Sequence, residues 1–284
     1  MIKCHYRAGL VPAMLVSGLV TALLSGCGGV TVGPLPSAPA TVTETVEQGD
    51  LTRATYDSVT DTLTIESLPF DNGLFAATYT RAPALDVNGF RAYVNTNGAR
   101  SYVALWGISN GGTGAVSGGS VGTGDYVGYG HGGSTYGRTG TTTLPTTGIG
   151  RFTGRYAGLM TFDGTGGIQR TEGDLNLDVD FADARVEGVV NNRMNVTTAT
   201  AQNDVILATT TIVDGRFTGG TATSYDLAGD AVETGTYEGL IGGATGLEVA
   251  GVIILDQKKG GAVLNATRET GIFVSDAVVV LPTP

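Results

Sequence analysis

The side chains best suited to binding a ligand lie in one glycine-rich segment, residues 110–140. His131 is found there with three tyrosines, Tyr126, Tyr129 and Tyr136. Imidazole and phenol groups can ligate haem iron, and they also stack on organic solutes and hydrogen-bond to them. We therefore predict that these side chains bind a ligand. The alternative is that they are ordinary side chains of a strand-and-loop stretch.

A serine-hydrolase pattern, G-x-S-x-G, surrounds Ser109, and Asp125 and His131 follow it in the order that such hydrolases use. The pattern requires a strand before the serine and a helix after it. Glycine makes up seven of the fifteen residues at 110–124, which follow Ser109, so this segment cannot form a stable helix. A second match surrounds Ser120 in the same segment, so composition explains both matches. The sequence therefore predicts that the protein is not an enzyme.

Neither a metal nor a cofactor is predicted. Asp174, Asp178 and Asp180 alternate with apolar residues, so they share the solvated face of one strand. Calcium instead needs roughly six to eight oxygens that converge from several directions. Residues 128–133 match the dinucleotide pattern G-x-G-x-x-G, but no strand–helix–strand unit surrounds them. Haem at His131 stays open only as an alternative.

A different chemistry is predicted at the N-terminus. A basic start (residues 1–7) and an apolar run (residues 8–24) have the layout of a secretory signal. Leu24-Ser25-Gly26-Cys27 resembles the lipobox of bacterial lipoproteins. The resemblance implies cleavage before Cys27 and acylation of its thiol and new amine, which makes Cys27 the membrane anchor. The alternative is an uncleaved transmembrane helix, for which about 20 apolar residues are needed.

Charge and cysteine content exclude several partners. The chain has a formal charge of −10, and the leader holds two of its cations and no acid. Such a surface repels phosphate backbones and anionic lipid headgroups, so nucleic acid is excluded and membrane attachment requires acyl chains. Cys4 leaves with the leader and Cys27 is acylated, so the mature chain has neither a disulfide nor a cysteine–histidine zinc site.

The remaining sequence predicts strands and tight turns. Glycine accounts for 46 of the 284 residues, and no long apolar repeat has helical spacing. Residues 54–56 and 62–65 predict a hairpin, residues 174–181 alternate without a fault, and Asp214-Gly215 predicts a tight turn between two strands. About eight strands follow residue 150, and closure into a barrel would remove their exposed edges.

Several motifs resemble the barrel domain of transferrin-binding protein B. They are Phe152-Thr153-Gly154-Arg155-Tyr156-Ala157-Gly158, the strand 173–181, Val186-Glu187-Gly188, Gly235-Thr236-Tyr237-Glu238-Gly239 and residues 248–252. The resemblance implies an all-β chain with an eight-stranded antiparallel barrel at 150–284. A smaller handle-like β region at 50–149 would precede the barrel, behind a signal peptide at 1–26 and a flexible tether at 27–49.

The resemblance also implies binding rather than catalysis. The chain has room for one lobe with short turns, and no residue indicates transferrin as partner. We therefore expect a lipid-anchored lipoprotein on either face of the bacterial outer membrane that binds a protein or a small solute. The alternatives are a structural envelope lipoprotein and a lipocalin-like carrier of a small apolar ligand or haem. The site is expected in loops at one barrel end or in the handle–barrel groove.

Overall fold

Strands and tight turns make up the regular structure. The computed structural model describes residues 42–282 apart from 67, 71–72, 75, 98–99, 111–112, 126–127 and 258–265. The predicted signal peptide, Cys27 and Tyr126 lie outside the described residues. Besides strands, the described chain has one 3₁₀ turn at Pro83–Leu85, and it contains no helix with the length and apolar character to cross a membrane.

The N-terminal half of the described chain forms an antiparallel sheet that we call the handle. The first ten strands are β1 (Val42–Gly49), β2 (Arg53–Asp57), β3 (Thr62–Glu66), β4 (Pro69–Phe70), β5 (Gly73–Leu74), β6 (Ala77–Arg81), β7 (Arg91–Asn97), β8 (Arg100–Ile108), β9 (Val116–Thr123) and β10 (His131–Thr139). Eight of them lie in the order β1-β10-β9-β8-β7-β6-β3-β2, and β4 pairs with β5. The hairpin predicted from residues 54–65 is confirmed as β2 and β3.

The prediction of a tether up to residue 49 is wrong at its end, because residues 42–49 form β1. This strand pairs with β10 from Val42↔Thr139 to Gly49↔Gly133. β1 lies at a sheet edge and is only partly buried, so its sequence is polar and lacks the apolar alternation that predicts a strand. Glycines on β10 let it approach, since an added Cβ on Gly137 would lie 2.7 Å from the carbonyl oxygen of Glu44.

The C-terminal half is a closed barrel. Its strands are β11 (Ile149–Phe162), β12 (Thr165–Asp180), β13 (Arg185–Asn195), β14 (Thr200–Ala201), β15 (Val205–Val213), β16 (Arg216–Tyr225), β17 (Ala231–Gly242), β18 (Glu248–Gln257) and β19 (Thr267–Leu281). They lie in the order β12-β11-β19-β18-β17-β16-β15-β13-β14, and pairing of β12 with β13 closes the circle. Leaving aside the two-residue β14, this confirms the predicted eight-stranded antiparallel barrel.

Local sequence explains the barrel strands. On β12, Leu175, Leu177 and Val179 are buried, while Asp174 and Asp178 are exposed, as the alternating pattern predicts. The predicted turn at Asp214-Gly215 joins β15 to β16. Both of its residues have positive φ, +52° and +77°, as a type I′ hairpin turn requires.

Side chains of the barrel fill its own interior. Each of its eight strands contributes to one buried cluster: Phe152, Tyr156, Leu175, Leu177, Val179, Phe181, Val186, Val190, Val205, Leu207, Phe217, Ala222, Tyr237, Ile241, Val249, Ile253, Leu255 and Phe273. A lipocalin leaves room for its ligand at this place. The packed interior therefore contradicts the lipocalin-like alternative.

One charged cluster is buried within the barrel. Arg193 is fully buried and donates to Glu233 Oε2 at 2.7 Å and to Glu269 Oε2 at 2.8 Å. Tyr156 and Thr171 donate to Glu269 Oε1 at 2.6 and 2.5 Å. Burial by itself would lower the pKa of Arg193, but the two carboxylates outweigh it and raise that pKa. The guanidinium is therefore held in its charged form.

The handle packs one face against the outside of the barrel. Phe90 and Leu105 of the handle share a buried cluster with Leu159 and Ile272 of the barrel. Because this cluster removes apolar surface of both sheets from water, it stabilises their association.

Two barrel carboxylates also hold the handle. Glu248 accepts hydrogen bonds from the backbone and hydroxyl of Thr113 at 2.6 and 2.9 Å and from the backbone of Ala115 at 2.8 Å. Glu238 accepts one from Gln48 Nε2 at 2.7 Å. Handle and barrel thus belong to one compact unit.

Replacing Arg193 by Met tests the buried cluster. The variant leaves two carboxylates without their cation, so we expect the free energy of unfolding to fall by about 3–5 kcal/mol. Arg151→Met is the control, because the 3.5 Å pair of Arg151 with Asp178 is more than half exposed and is expected to contribute about 1 kcal/mol or less. Urea unfolding followed by circular dichroism measures both, and equal midpoints would contradict the assignment.

Candidate binding groove between handle and barrel

Two of the predicted ligand residues, Tyr129 and His131, line a groove of about 270 Å³. The handle contributes residues 49–50, β9 and the start of β10, and the barrel contributes β11, β18 and β19. The volume lies just below the range for small-molecule sites, about 300–1,000 Å³. The sequence analysis expects the site either in loops at one barrel end or in the groove between handle and barrel, and these two residues lie in the groove.

Glycines place His131 at the rim of this groove. Gly130 has a φ of +69°, and an added Cβ there would overlap the carbonyl oxygen of Thr123. On the other side of His131, an added Cβ on Gly132 would lie 2.9 Å from the carbonyl oxygen of Val121. The chain therefore enters β10 against the backbone of β9, which leaves the imidazole at the edge of the groove.

Asp50 orients the imidazole. Its Oδ2 lies 3.3 Å from His131 Nδ1 and accepts a hydrogen bond from the backbone N–H of Gly132 at 3.1 Å. The backbone N–H of Asp50 in turn donates to the carbonyl of Gly132 at 2.9 Å. The carboxylate of Asp50 thus holds both the start of β10 and the imidazole ring of His131. Because Nδ1 is the ring nitrogen that faces Asp50, the other ring nitrogen, Nε2, lies farther from this carboxylate.

Arg268 forms the barrel side of the rim. Its guanidinium lies 5.0 Å from the ring centroid of Tyr129 and donates from Nε and Nη2 to Asp256 at 2.8 and 3.3 Å. The hydrogen bond to Asp256 raises the pKa of Arg268. Burial, followed by the carboxylates of Asp256 and Asp163, raises the pKa of Tyr129, so its phenol stays a hydrogen-bond donor at neutral pH.

The floor of the groove is mixed in polarity. Val121, Leu159 and Ile254 supply apolar surface, and Thr161 and Thr270 supply hydroxyls. Together with the rim, this lining suits a molecule or a protein segment with an apolar body and a hydrogen-bonding end.

Sequence reasoning misses Asp50 and Arg268. Asp50 follows a stretch with the composition of a tether, and Arg268 lies on the last strand, far from His131 along the chain. No sequence motif marks either residue. The docking of the handle on the barrel is what brings them together.

Tyr136 does not lie in the groove. Its side chain is buried, and its hydroxyl donates to Glu238 Oε1 at 3.0 Å, beside the contact of Gln48. Burial and the neighbouring carboxylate raise its pKa. In this structure Tyr136 joins handle to barrel, and the fourth predicted residue, Tyr126, lies outside the described residues.

The described residues do not bring together the serine-hydrolase pattern around Ser109 or a metal-binding group of carboxylates. Ser109 follows β8 at the end where Ile108 pairs with Ser117, whereas His131 pairs with Thr123 at the other end of β9. At about 3.3 Å per residue, roughly 20 Å separates these ends. The described residues include no group of three His, Cys, Asp or Glu side chains placed to hold a metal ion.

Comparisons with known proteins give similarity only at the level of structure. No protein-family profile and no curated protein sequence matches the chain. A transferrin binding protein B double mutant from Haemophilus parasuis is similar at 14% identity and a TM-score of 0.46, covering 83% of this chain and 45% of that one. The isotype 1 protein from serogroup B Neisseria meningitidis is similar at 16% identity and a TM-score of 0.38, covering 83% and 43%.

A protein described as a surface lipoprotein is also similar, at 14% identity and a TM-score of 0.40, and the match covers 82% of this chain and 98% of that one. By contrast, the match covers only 45% and 43% of the two transferrin binding protein B chains, so this chain spans less than half of their length. The likeness concerns the fold, and no ligand is transferred with it.

Two glycines give a matched test of the groove's rim. Gly128 and Gly130 both have positive φ, +78° and +69°, but only Gly130 has backbone within 4 Å of an added Cβ. We expect Gly128→Ala to lower the free energy of unfolding by about 1 kcal/mol through its φ alone. Gly130→Ala should cost clearly more and displace His131. Urea midpoints and the histidine NMR signals measure this, and equal effects would contradict the crowding argument.

Proposed function

We propose that this protein is a non-enzymatic binding lipoprotein of the bacterial outer membrane. Acyl chains on Cys27 would hold it, and the handle–barrel groove would bind a small solute or a segment of a partner protein. The observation that carries the proposal is the convergence of Tyr129, His131 and Arg268 from two sheets on one groove whose floor is partly apolar and partly hydroxyl-bearing. Binding sites occur preferentially in clefts where separate structural parts of a protein meet.

The arrangement of the groove favours binding over catalysis. His131 faces Asp50 but has no serine or cysteine nucleophile among the groove residues. Arg268 is already paired with Asp256 and lies over Tyr129, so it forms a fixed wall. Preformed walls of this kind lower the entropy cost of ligand binding.

The alternative of a purely structural envelope protein is tested by removing one wall of the groove. Tyr129→Ala should reduce the amount of a co-purifying solute roughly tenfold, because a buried aromatic contact is lost. Native mass spectrometry of detergent-solubilised protein measures the bound mass. Tyr225→Ala is the control, since Tyr225 is 48% exposed on β16, outside the groove.

A protein partner is tested by placing a photo-crosslinking amino acid at position 129 or 225 in intact cells. A crosslink found at position 129 but not at 225 supports the proposal. A wild-type protein that carries no added mass and shows no position-dependent crosslink would favour the structural alternative.

The anchor has a separate test. The chain contains two cysteines, Cys4 and Cys27. Cys27→Ser should abolish incorporation of labelled palmitate and release the protein from the membrane fraction, because acyl chains supply the attachment. Cys4→Ser should change neither, since Cys4 belongs to the predicted leader. Labelling that persists in Cys27→Ser would show that the anchor lies elsewhere.

A further inference from the structure

The handle sheet nearly closes on itself, and its two edge strands are β1 and β2. The chain crosses from β1 to β2 through three residues, 50–52. The N–H of Asp50 donates to Gly132 on β10, and the N–H of Thr52 donates to Glu66 on β3. Within this link the Cα atoms of Asp50 and Thr52 lie within about 8 Å of each other, because consecutive Cα atoms are 3.8 Å apart. Beyond the link, no backbone hydrogen bond joins β1 to β2 in the described chain.

A cleft of about 780 Å³ opens between these edges. Its floor consists of small residues of the segments around β9 and β10, namely Gly114, Ala115, Ser117, Thr135 and Gly137. Its sides are β1 and β2. The cleft is almost three times as large as the handle–barrel groove and shares no residue with it.

Aromatic and hydroxyl groups line the inner end of the cleft. Tyr56 stacks on Trp106 with ring centroids 5.8 Å apart and an interplanar angle of 28°. Trp106 Nε1 and Thr135 Oγ1 are buried and have no hydrogen-bond partner among the described residues. Thr135 itself is only 2% exposed.

Charges of opposite sign flank the cleft. Glu47 on β1 and Arg53 on β2 both line it, and neither has an ion-pair partner within the described chain. Glu44, farther along β1, is instead paired with Arg138 and Arg216. The flanking charges are therefore available to side chains of a ligand.

We propose that this cleft binds an extended peptide segment of a partner protein, which adds as a strand beside the free edges of β1 and β2. Each edge offers a row of N–H and C=O groups, which a peptide backbone matches and a compact solute does not. Alternate side chains of the peptide point into the cleft, toward Trp106 and Ser117, and the others point to solvent. The site is separate from the handle–barrel groove and extends the proposed function.

The peptide's composition follows from the charges. The net charge of −10 favours a basic segment. A lysine or arginine of the peptide faces Glu47, and an acidic side chain faces Arg53. The apolar side chain between them packs on the Tyr56–Trp106 pair.

Phage-displayed random heptapeptides selected on the detergent-solubilised full chain test the proposal. Synthetic copies of enriched sequences are then titrated, with Trp106 fluorescence as readout, since it is the chain's only tryptophan. We expect saturable changes in emission. N-methylation of every second peptide amide should weaken binding by roughly tenfold or more, because a ladder hydrogen bond is lost and the strand is blocked sterically.

Two variants control the test. Ser117→Phe fills the cleft and should abolish binding, while Thr78→Phe, on the exposed side of β6, should leave it unchanged. If Ser117→Phe does not fold, the charge reversal of Glu47→Lys and Arg53→Glu replaces it and should invert the charge preference of selected peptides. Tyr129→Ala should have no effect, which separates this site from the handle–barrel groove.

Three results would overturn the proposal. The first is that no peptide enriches on the wild-type protein relative to Ser117→Phe. The second is binding that leaves Trp106 emission unchanged. The third is binding that is insensitive to backbone N-methylation at every position, because the peptide would then be held by side chains alone and the cleft would be a site for compact solutes.

Discussion

Closure of the second sheet is the constraint on which the rest of the structure depends. Because β12 pairs with both β11 and β13, the barrel has no free edge, and its inner faces must pack against one another. Apolar side chains from all eight strands fill that space. The closed wall then provides the surface on which one face of the open handle sheet is buried.

Directional polar contacts determine how the two sheets meet. Apolar packing alone would tolerate sliding, since it has no preferred direction. Glu248 and Glu238 of the barrel accept hydrogen bonds from fixed donors of the handle, among them the backbone of Thr113 and the side chain of Gln48. These bonds fix the spacing between the sheets, and with it the shape of the groove around His131.

Openness of the handle contrasts with closure of the barrel, and both candidate sites follow from this difference. The groove exists because a curved, open sheet cannot cover the barrel wall completely, so Tyr129 and Arg268 meet across a gap. The cleft exists because β1 and β2 do not pair. A handle closed by pairing of β1 with β2 would not offer this cleft.

Local patterns in the sequence determined most of the barrel. Strict alternation at 174–181 and the turn at Asp214-Gly215 are decided by neighbours in the chain, and both predict the observed strands.

The groove was only half predictable. Tyr129 and His131 stand out by residue type, whereas Asp50 and Arg268 reach the groove through pairings distant in sequence. The strand β1 was missed because its residues are polar and its partner is a glycine-rich strand with little hydrophobic signal. Side-chain type and two-residue periodicity are thus properties of the sequence by itself. Only the tertiary structure decided which faces meet, because contacts between sheets depend on closure, register and buried hydrogen bonds that no local segment encodes.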